Sequence, residues 1–347
     1  MNPTMQDVAR LAGVSPSTVS RVLNESSLVK EETAQKVMEA INKLDYQIND
    51  FARALRTNSS GLIGVIGAGM DNPFLAKMLK GIESEALQYN YNIIFCETEG
   101  ELQQELSYIK LLQQRKIDGL LIITANFYSK LLDAVKKSEI PVVFASCYID
   151  DPELACVGID NIAAAYDAVN YLINTGRKNI GIVRGPYSDA VASRARSNGV
   201  RLAFKNNNLC LAENALVEAE FNLKSAYTAA QKLLKNYPEI DGLFAFSDEL
   251  AIGAIRAFEG QGKKIPEDIY VVGFDNIDFS KFLCPSLTTI AQPAFEIGSK
   301  SMEVLESLIS NKEYIESKIL LPYNLIIRQS TGGESNRFQN NREVIGD

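Results

Sequence analysis

Polar side chains end three of the predicted apolar strands, where a small ligand could be held. Asp160, Ser247 and Asp275 each close a short apolar run. Ligands of open α/β sheets bind outside the carboxyl ends of the strands, and a few polar groups at such an edge can orient a polar molecule. The sequence therefore predicts a ligand site formed by the ends of several strands.

Motifs for catalysis are missing from the sequence. The chain has no histidine, which removes the commonest general base and the commonest metal ligand. Neither a Gly-x-Ser-x-Gly elbow nor a phosphate-binding Gly-x4-Gly-Lys-Ser/Thr loop occurs. Residues 64–69 resemble a dinucleotide-binding turn, but Asn72 stands where its third glycine belongs. We expect no enzyme, no catalytic residue, no metal and no cofactor.

Length and composition are those of a globular protein. The 347 residues predict two or three domains, and 46% hydrophobic with 22% charged residues is typical of a full-sized core. No apolar run reaches the roughly 18 residues of a membrane helix, and the first residues do not resemble a signal peptide. The five cysteines are scattered and form no motif. We expect reduced thiols in a cytoplasmic protein without membrane attachment.

The charge of the chain is unevenly distributed. Its net charge of −8 on its face argues against a nucleic-acid partner. Residues 1–60, however, contain seven basic and seven acidic residues, so the whole negative charge lies after residue 60. A neutral head predicts few phosphate contacts for each protomer and weak non-specific DNA binding.

Three short helices are predicted in residues 1–46. Thr4 and Asp7 match a capping box, and Val8, Leu11 and Ala12 then share one helical face. After a glycine, a Ser-Pro pair starts a second helix, and a third is expected over 31–44. The inward residues of these two helices are predicted to be Val19, Val22, Leu23, Val37, Ile41 and Leu44. Such an arrangement forms a helix-turn-helix; the alternative is an ordinary small helical subdomain.

Residues 47–60 form a polar linker that contains a short helix-favouring segment behind Asn49. A helix of this length is unstable alone in water. We expect it to form only when a partner holds it.

From residue 61 the pattern changes to short apolar strands that alternate with amphipathic helices. This alternation predicts parallel sheets covered on both faces, and the number of strands predicts two similar lobes. The strands are expected at 62–68, 92–98, 119–124, 141–146, 156–160, 179–185, 216–220, 242–247 and 270–275. The polar residues 332–347 are expected to be a disordered tail.

The sequence MQDVARLAGVSPSTVSRVLN at residues 5–24 closely resembles the head of LacI/GalR-family transcriptional regulators. The match is long, ungapped and in the expected position. It continues through residues 52–55, 81–83, 116–119, 247–254 and 265–268, and covers about residues 3–331. Two stretches, 159–172 and 273–293, are most similar to the cytidine-repressor branch of that family.

The resemblance implies a division of the chain. Residues 1–46 would be an all-α helix-turn-helix DNA-binding domain, and 47–60 a hinge helix and linker. Residues 61–331 would be an α/β effector-binding and dimerisation core of two doubly wound parallel sheets, like the type I periplasmic sugar-binding proteins. Its N-lobe would comprise about 61–160 and 293–323, and its C-lobe about 161–292 and 324–331.

The resemblance also implies which residues bind DNA. The second helix would enter the major groove, where Arg21 suits a bidentate contact to guanine; the alternative is a surface arginine in an ion pair. Leu55 would wedge between central base pairs from the minor groove and kink the DNA, unless it only packs on the core. The implied DNA-binding residues are Thr4, Met5, Ser15, Pro16, Ser17, Thr18, Arg21, Asn24, Asn49, Ala52 and Leu55.

The effector site is implied in the same way. The matching pocket positions are Asn72, Phe74, Asp160, Arg196, Phe221, Ser247 and Asp275. Alternatives remain open for four of these residues. Arg196 could be an exposed helix arginine, with Arg194 at the pocket position instead, and Asp275 could be a helix cap. Phe74 and Phe221 could be core residues. Charged groups with aromatic faces suit a polyhydroxylated ligand, here cytidine or another nucleoside, or a sugar.

The resemblance therefore predicts a ligand-responsive repressor that binds double-stranded operator DNA as a homodimer. A regulator of the same family that responds to a carbon source, a pentose or a hexose is the alternative. A sugar-binding transport protein is a remote alternative from another class, since it would need an export signal and would have no use for residues 1–60.

Overall fold

The computed structural model describes residues 3–23, 29–46, 59–312 and 316–333. The chain divides into two units, residues 1–60 and 61–347, and each is treated by itself below. Several sequence predictions lie outside the described residues. These are the DNA-binding residue Asn24, the hinge helix with Asn49, Ala52 and Leu55, and the tail from residue 334.

The first unit is a three-helix head, as predicted. Its helices are α1 (Met5–Ala12), α2 (Pro16–Leu23) and α3 (Glu31–Leu44). Of the three residues expected to share one face of α1, Val8 is buried but Leu11 is 45% exposed, and Ala9 is buried instead. The short helix turns Ala9 rather than Leu11 toward the other two helices. The buried centre consists of Val8, Ala9, Val19, Val37 and Ala40.

Capping sets the ends of α1. The hydroxyl of Thr4 accepts a hydrogen bond from the backbone N–H of Asp7 at 3.3 Å, and the Asp7 carboxylate accepts from the Thr4 N–H at 2.9 Å. This is the predicted capping box. Gly13 ends the helix in the left-handed region (φ 66°), where a residue without Cβ is not strained. The chain can therefore turn sharply into α2.

The second unit contains twelve strands in its described residues. The nine predicted strands are present, and three short ones, β10 to β12, were not predicted. The strands are β1 (Leu62–Gly67), β2 (Asn92–Glu97), β3 (Gly119–Ile122), β4 (Val142–Ala145), β5 (Ala155–Gly158), β6 (Ile180–Arg184), β7 (Leu216–Glu218), β8 (Gly242–Ala245), β9 (Tyr270–Asp275), β10 (Thr288–Ala291), β11 (Lys318–Leu320) and β12 (Asn324–Ile326).

Helices cover both faces of the sheets. They are α4 (Pro73–Gln88), α5 (Leu102–Gln114), α6 (Ser129–Ser138), α7 (Asn161–Asn174), α8 (Ala195–Asn206), α9 (Leu223–Asn236), α10 (Asp248–Glu259) and α11 (Ala294–Ile309). One turn of π-helix, Ala190–Arg194, precedes α8. Where α4 crosses α11, a Cβ on Gly81 would clash with the carbonyl of Phe295, so glycine permits this close approach. None of the described helices combines the length and the apolar character required to cross a bilayer.

Two six-stranded sheets define two lobes. The N-lobe sheet has the order β11-β5-β4-β3-β1-β2, and the C-lobe sheet has the order β12-β10-β9-β8-β6-β7. The strands are parallel except that β12 is antiparallel to β10. The doubly wound architecture is therefore the predicted one. It brings the carboxyl ends of neighbouring strands to one edge of each sheet.

Candidate DNA-reading helix and effector cleft

Hydroxyl groups cluster at the start of α2 in the head. The Ser15 Oγ lies 2.7 Å from the Ser17 Oγ and 2.9 Å from the Thr18 Oγ1, and it accepts from the backbone N–H of Thr18 at 3.2 Å. Ser15, Ser17 and the intervening Pro16 are exposed, and Thr18 is half-buried. The first turn of α2 therefore presents small polar groups, which can hydrogen-bond phosphates or base edges.

Arg21 lies one turn further along α2 and is exposed. Val19 on the opposite face is fully buried, which fixes the face that Arg21 presents to solvent. Thr4 and Met5 stand at the start of α1, where Thr4 is exposed and Met5 packs against the head core. The seven expected DNA-binding residues that are described thus lie at the starts of α1 and α2 and along the outer face of α2.

Three expected effector residues are helix N-caps in the second unit. The Asn72 side chain accepts from the backbone N–H of Phe74 at 2.8 Å, that of Asp160 from Ile162 N at 2.9 Å, and that of Ser247 from Leu250 N at 3.1 Å. Each stands between the end of a strand and the start of a helix. Capping therefore occupies part of their hydrogen-bonding capacity.

Arg196 is buried (6% exposed), whereas Arg194 is exposed. The Arg196 Nε donates to the Asn161 Oδ1 at 2.9 Å, and one of its terminal nitrogens donates to the Phe246 carbonyl. Its guanidinium carbon lies 3.6 Å from the centre of the Phe274 ring. Burial lowers the pKa of Arg196, while neighbouring carboxylates, Asp275 first, oppose this. The arginine thus joins α7, β8 and β9 at the edge of the C-lobe sheet.

Asp275 ends β9 and is also buried. Its Oδ1 accepts from the Gln292 Nε2 at 2.7 Å, and its backbone has φ 111°, which strains a residue with a Cβ and is found mainly at functional sites. Burial raises its pKa to about 6, against the opposing effect of Arg196 and Gln292. Asp275 is therefore held by a side-chain bond and is not a helix cap.

Further carboxylates surround this pair. Burial and the charge of Asp275 raise the pKa of Asp248 to about 8. Burial and the charge of Asp275, with a smaller effect of Asp71, also raise the pKa of Glu249 to about 7. Burial also raises the pKa of Asp189. Since Asp71 belongs to the N-lobe and Glu249 to the C-lobe, acidic groups approach one another from both lobes at this edge.

A cavity of about 400 Å³ opens between the two lobes. This volume lies within the range of roughly 300–1,000 Å³ that is usual for sites of drug-sized ligands. Apolar side chains form most of its wall, with Asp160 and Asn161 as polar groups. Its lining is Phe127, Tyr148, Ile159, Asp160, Asn161, Ile162, Ala190, Val191, Ala195 and Leu320.

Hydrogen bonds join the lobes beside this cavity. The Ala190 N–H donates to the Ala125 carbonyl at 2.9 Å and to the Asn126 Oδ1 at 3.2 Å, and the Val191 N–H donates to the same carbonyl at 3.2 Å. Ala125 and Asn126 follow β3 of the N-lobe, and Ala190 and Val191 belong to the π-helical turn of the C-lobe. The cavity is thus bordered by a contact that depends on the position of both lobes.

Family comparison covers both units. Residues 60–329 match the family described as periplasmic binding proteins and sugar binding domain of the LacI family. Residues 4–49 match the bacterial regulatory proteins of the lacI family. The chain belongs to the LacI family. It is a DNA-binding transcriptional regulator and not an enzyme, as the sequence predicted.

Named LacI-family relatives match over the full length. The chain is 35% identical to catabolite control protein A of Priestia megaterium over 332 residues, 95% of this chain and 100% of the relative. It is 34% identical to the ribose operon repressor of Halalkalibacterium halodurans over 96% of this chain and 98% of that one. Among solved structures, the Lac repressor dimer bound to operator and an anti-inducer matches with a TM-score of 0.86 and 26% identity, over 95% of this chain and 99% of that one.

The expected effector residues of this LacI-family core lie in three places. Arg196, Asp275, Asp160 and Ser247 are brought together through direct bonds or adjacent residues. Phe221 packs over Gly185, where a Cβ would also meet the Ser193 Oγ at 2.6 Å. Asn72 and Phe74 start α4 in the N-lobe, next to Asp71.

Sequence reasoning missed several groups of the site. Asn161 holds Arg196, Gln292 holds Asp275, and Phe127 and Tyr148 form aromatic walls. Asn161 and Gln292 lie inside stretches that carry the family resemblance, and Asn161 directly follows a predicted strand end. Position after a strand was therefore a usable signal for Asn161. Phe127 and Tyr148 stand in loops, where the pattern of apolar residues gives no indication of which side chains face the cleft.

Proposed function

We propose that this regulator is a repressor that binds a palindromic operator as a homodimer and changes its operator affinity when an effector occupies the cleft. The observation that carries the proposal is the cavity walled by both lobes. A ligand there contacts both lobes at once and can therefore favour one arrangement of the lobes over another. The relationship to a repressor whose dimer binds operator supports the DNA half of the proposal. Since operator DNA is in the cytoplasm of a bacterium, the protein acts there.

On the DNA side, Arg21 reads a guanine and the α2 hydroxyls bind phosphates or bases. The exposure of Arg21 opposite the buried Val19 supports this assignment. Pro16 has no side-chain donor and contributes only apolar contact. The remaining DNA contacts are assigned by resemblance to Thr4, Met5, Asn24, Asn49, Ala52 and Leu55.

The effector is a nucleoside, cytidine included, or a sugar. The burial of Arg196 and Asp275 at the ends of the C-lobe strands supports a polar, hydroxylated ligand, and similarity to a ribose operon repressor is consistent with a pentose. Resemblance to the cytidine-repressor branch favours a nucleoside. The proposed ligand contacts are Asn72, Phe74, Asp160, Arg196, Phe221, Ser247 and Asp275.

Switching follows from where the ligand sits. Closing the lobes on a ligand changes the angle between them, and in a dimer this changes the spacing of the two segments that lead to the heads. The effector must bind one lobe arrangement more tightly than the other, because equal affinity shifts nothing.

In the first step, the full-length protein is used to select bound sequences from a library of random palindromic DNA. In the second step, nucleosides and sugars are screened by thermal shift, since ligand binding raises the stability of the protein by mass action. We expect one palindrome to be enriched and at least one ligand to change affinity for it. Arg21→Ala serves as the control that weakens operator binding while leaving ligand stabilisation intact. Ligand binding without any change in operator affinity would contradict the switch, and failure to enrich a palindrome would contradict operator binding.

A further inference from the structure

The cavity between the lobes has two distinct walls. Phe127 and Tyr148 supply aromatic rings and Leu320 an aliphatic group, whereas Asp160 and Asn161 stand together as the polar corner. The Phe127 ring is fixed edge-on against the buried Phe144, with centroids 6.0 Å apart. Tyr148 is 48% exposed and Leu320 47% exposed, so part of their apolar surface is available for a ligand. A flat apolar ring fits such walls better than a hydroxylated sugar ring does.

Arg196 determines which groups the polar corner offers. A guanidinium only donates hydrogen bonds, so the Asn161 atom that accepts from the Arg196 Nε at 2.9 Å must be the amide oxygen. The amide NH₂ of Asn161 is then the donor left for a ligand. The Asp160 Oδ1 caps α7 by accepting from Ile162 N and Ala163 N, both at 2.9 Å, and the second carboxylate oxygen remains as an acceptor. The corner thus presents one acceptor beside one donor.

We propose that this cavity takes the base of a nucleoside, with Asp160 and Asn161 reading an edge on which a donor and an acceptor are adjacent. Cytidine offers such an edge in its amino group and neighbouring ring nitrogen. This assignment rests on the proposed function and selects the nucleoside from its two effector classes. It also makes the aromatic wall, and not only the charged residues, a determinant of effector specificity.

The ribose of the nucleoside extends toward Arg196 and Asp275. Asn161 connects the two parts of the site, since it lines the cavity and bonds to Arg196, and Arg196 interacts with Asp275. Carboxylate oxygens accept hydrogen bonds from hydroxyl groups. Two buried hydroxyls, of Ser193 and Ser197, have no hydrogen-bond partner within the described residues and lie on either side of Arg196 in the sequence. The ligand is therefore expected to need both of its halves.

The first test measures binding of defined probes to the full-length protein by calorimetry. The probes are cytidine, uridine, adenosine, guanosine, D-ribose and free cytosine. We expect at least one nucleoside to bind, and D-ribose and cytosine each to bind at least about tenfold more weakly than the best nucleoside, because each half alone fills one wall of the site. D-Ribose binding as tightly as the best nucleoside, or binding by none of the four nucleosides, overturns the assignment.

A second test removes the aromatic wall. Tyr148→Ala should weaken binding of the best nucleoside roughly tenfold or more, as loss of a stacking aromatic does elsewhere, and should leave D-ribose affinity unchanged. Tyr128→Ala is the matched control, since Tyr128 is similarly exposed at 42% and does not line the cavity. Equal loss for nucleoside and ribose, or no loss for the nucleoside, overturns the role of the wall.

A third test changes the polar corner without removing its bond to Arg196. Asn161→Asp keeps an acceptor for the arginine but replaces the amide donor with a second acceptor. Affinity for cytidine relative to guanosine, whose edge carries two adjacent donors, should fall by about tenfold or more. Asn174→Asp, the same substitution at the exposed far end of α7, should leave this ratio unchanged. Because the readout is a ratio, a general loss of folded protein does not mimic it.

The outcomes separate this inference from the proposed function. If a sugar binds, changes operator affinity and is unaffected by Tyr148→Ala, the regulator stands and the nucleoside assignment falls. If a nucleoside binds with the expected dependence on Tyr148 and Asn161 but leaves operator affinity unchanged, the cavity assignment stands and the switch falls.

Discussion

The buried carboxyl of Asp248 should make the stability of the second unit fall as the pH rises. Asp248 is fully buried, accepts from the Thr289 hydroxyl at 2.5 Å and accepts from the Ile277 N–H at 2.8 Å. Burial and the nearby Asp275 raise its pKa to about 8, and the hydrogen bonds from Thr289 and Ile277 and the charge of Arg328 oppose this. The folded protein therefore keeps a proton on this group at neutral pH that the unfolded chain has released.

The sign and size follow from proton linkage. Where the folded state binds more protons than the unfolded state, the free energy of unfolding decreases as pH increases. For Asp248 this window runs from the ordinary value of 3.8 to about 8, with a slope of about 1.4 kcal/mol per pH unit for one proton. Between pH 6 and pH 8 the loss is about 2 kcal/mol, since the slope declines as the folded group itself titrates. Glu249, with its pKa raised to about 7, adds a smaller loss in the same direction because it is only half-buried.

The perturbation is Asp248→Asn, which removes the titrating group. An amide can still accept from the Ile277 N–H through its oxygen and donate to the Thr289 hydroxyl through its nitrogen. The chain contains no histidine, so no imidazole titrates between pH 6 and pH 8 to obscure the effect. The difference in unfolding free energy between variant and wild type should therefore shift by about 2 kcal/mol in favour of the variant over this range.

The assay is urea unfolding followed by circular dichroism at pH 6, 7 and 8, at constant ionic strength. Asp133→Asn, the same substitution at an exposed site on α6, should keep the wild-type pH dependence. The reasoning is refuted if wild type and Asp248→Asn lose stability in parallel, because the proton would then be bound elsewhere. A wild-type stability that rises with pH would also refute it, since this would mean that Asp248 is ionised in the folded state.

Three further predictions concern the DNA contacts and the N-lobe. Arg21→Ala should cost about 1–3 kcal/mol of operator affinity and less on scrambled DNA in gel-shift titrations; equal losses on both would make Arg21 a phosphate contact. Leu55→Ala should reduce both operator affinity and DNA bending in a circular-permutation gel assay, and unchanged bending would exclude the wedge role. Gly81→Ala should destabilise the protein by about 1–3 kcal/mol in urea unfolding, because its Cβ would meet the Phe295 carbonyl; an unchanged midpoint would show that α4 and α11 can separate at little cost.

The architecture was predictable where burial alone decides it. Most of the nine predicted strands are continuous apolar runs, and such runs are buried on both faces of a parallel sheet. The three missed strands differ: β11 and β12 have three residues each, stand at sheet edges and are partly exposed, and β10 begins with two threonines. Strands of this kind form because a neighbouring strand supplies their hydrogen bonds, and no local pattern in the sequence records that neighbour.

The site was predictable only in part, for a related reason. Polar residues after strands, such as Asp160 and Ser247, were visible because an apolar run ends at them. The bond between Asn161 and Arg196 joins residues 35 positions apart, and Asp248 meets Thr289 across 41 positions. These pairs depend on which strands are neighbours in the sheet. The hydrophobic period locates the elements, but it does not show which side chains meet across them.

The balance of energies at the cleft indicates where the switching free energy must come from. Beside the cavity, the N–H groups of Ala190 and Val191 join the lobes through hydrogen bonds to Ala125 and Asn126, which follow β3. Two such donors contribute about 1–3 kcal/mol in total. Moving a two-state equilibrium from 1:99 to 99:1 requires about 5.5 kcal/mol of preference for one state. The ligand must therefore supply the larger share through contacts that exist in one lobe arrangement only. The cavity offers such contacts, since Phe127 belongs to one lobe and Ala195 to the other, and a ligand that touches a single wall would bind without switching.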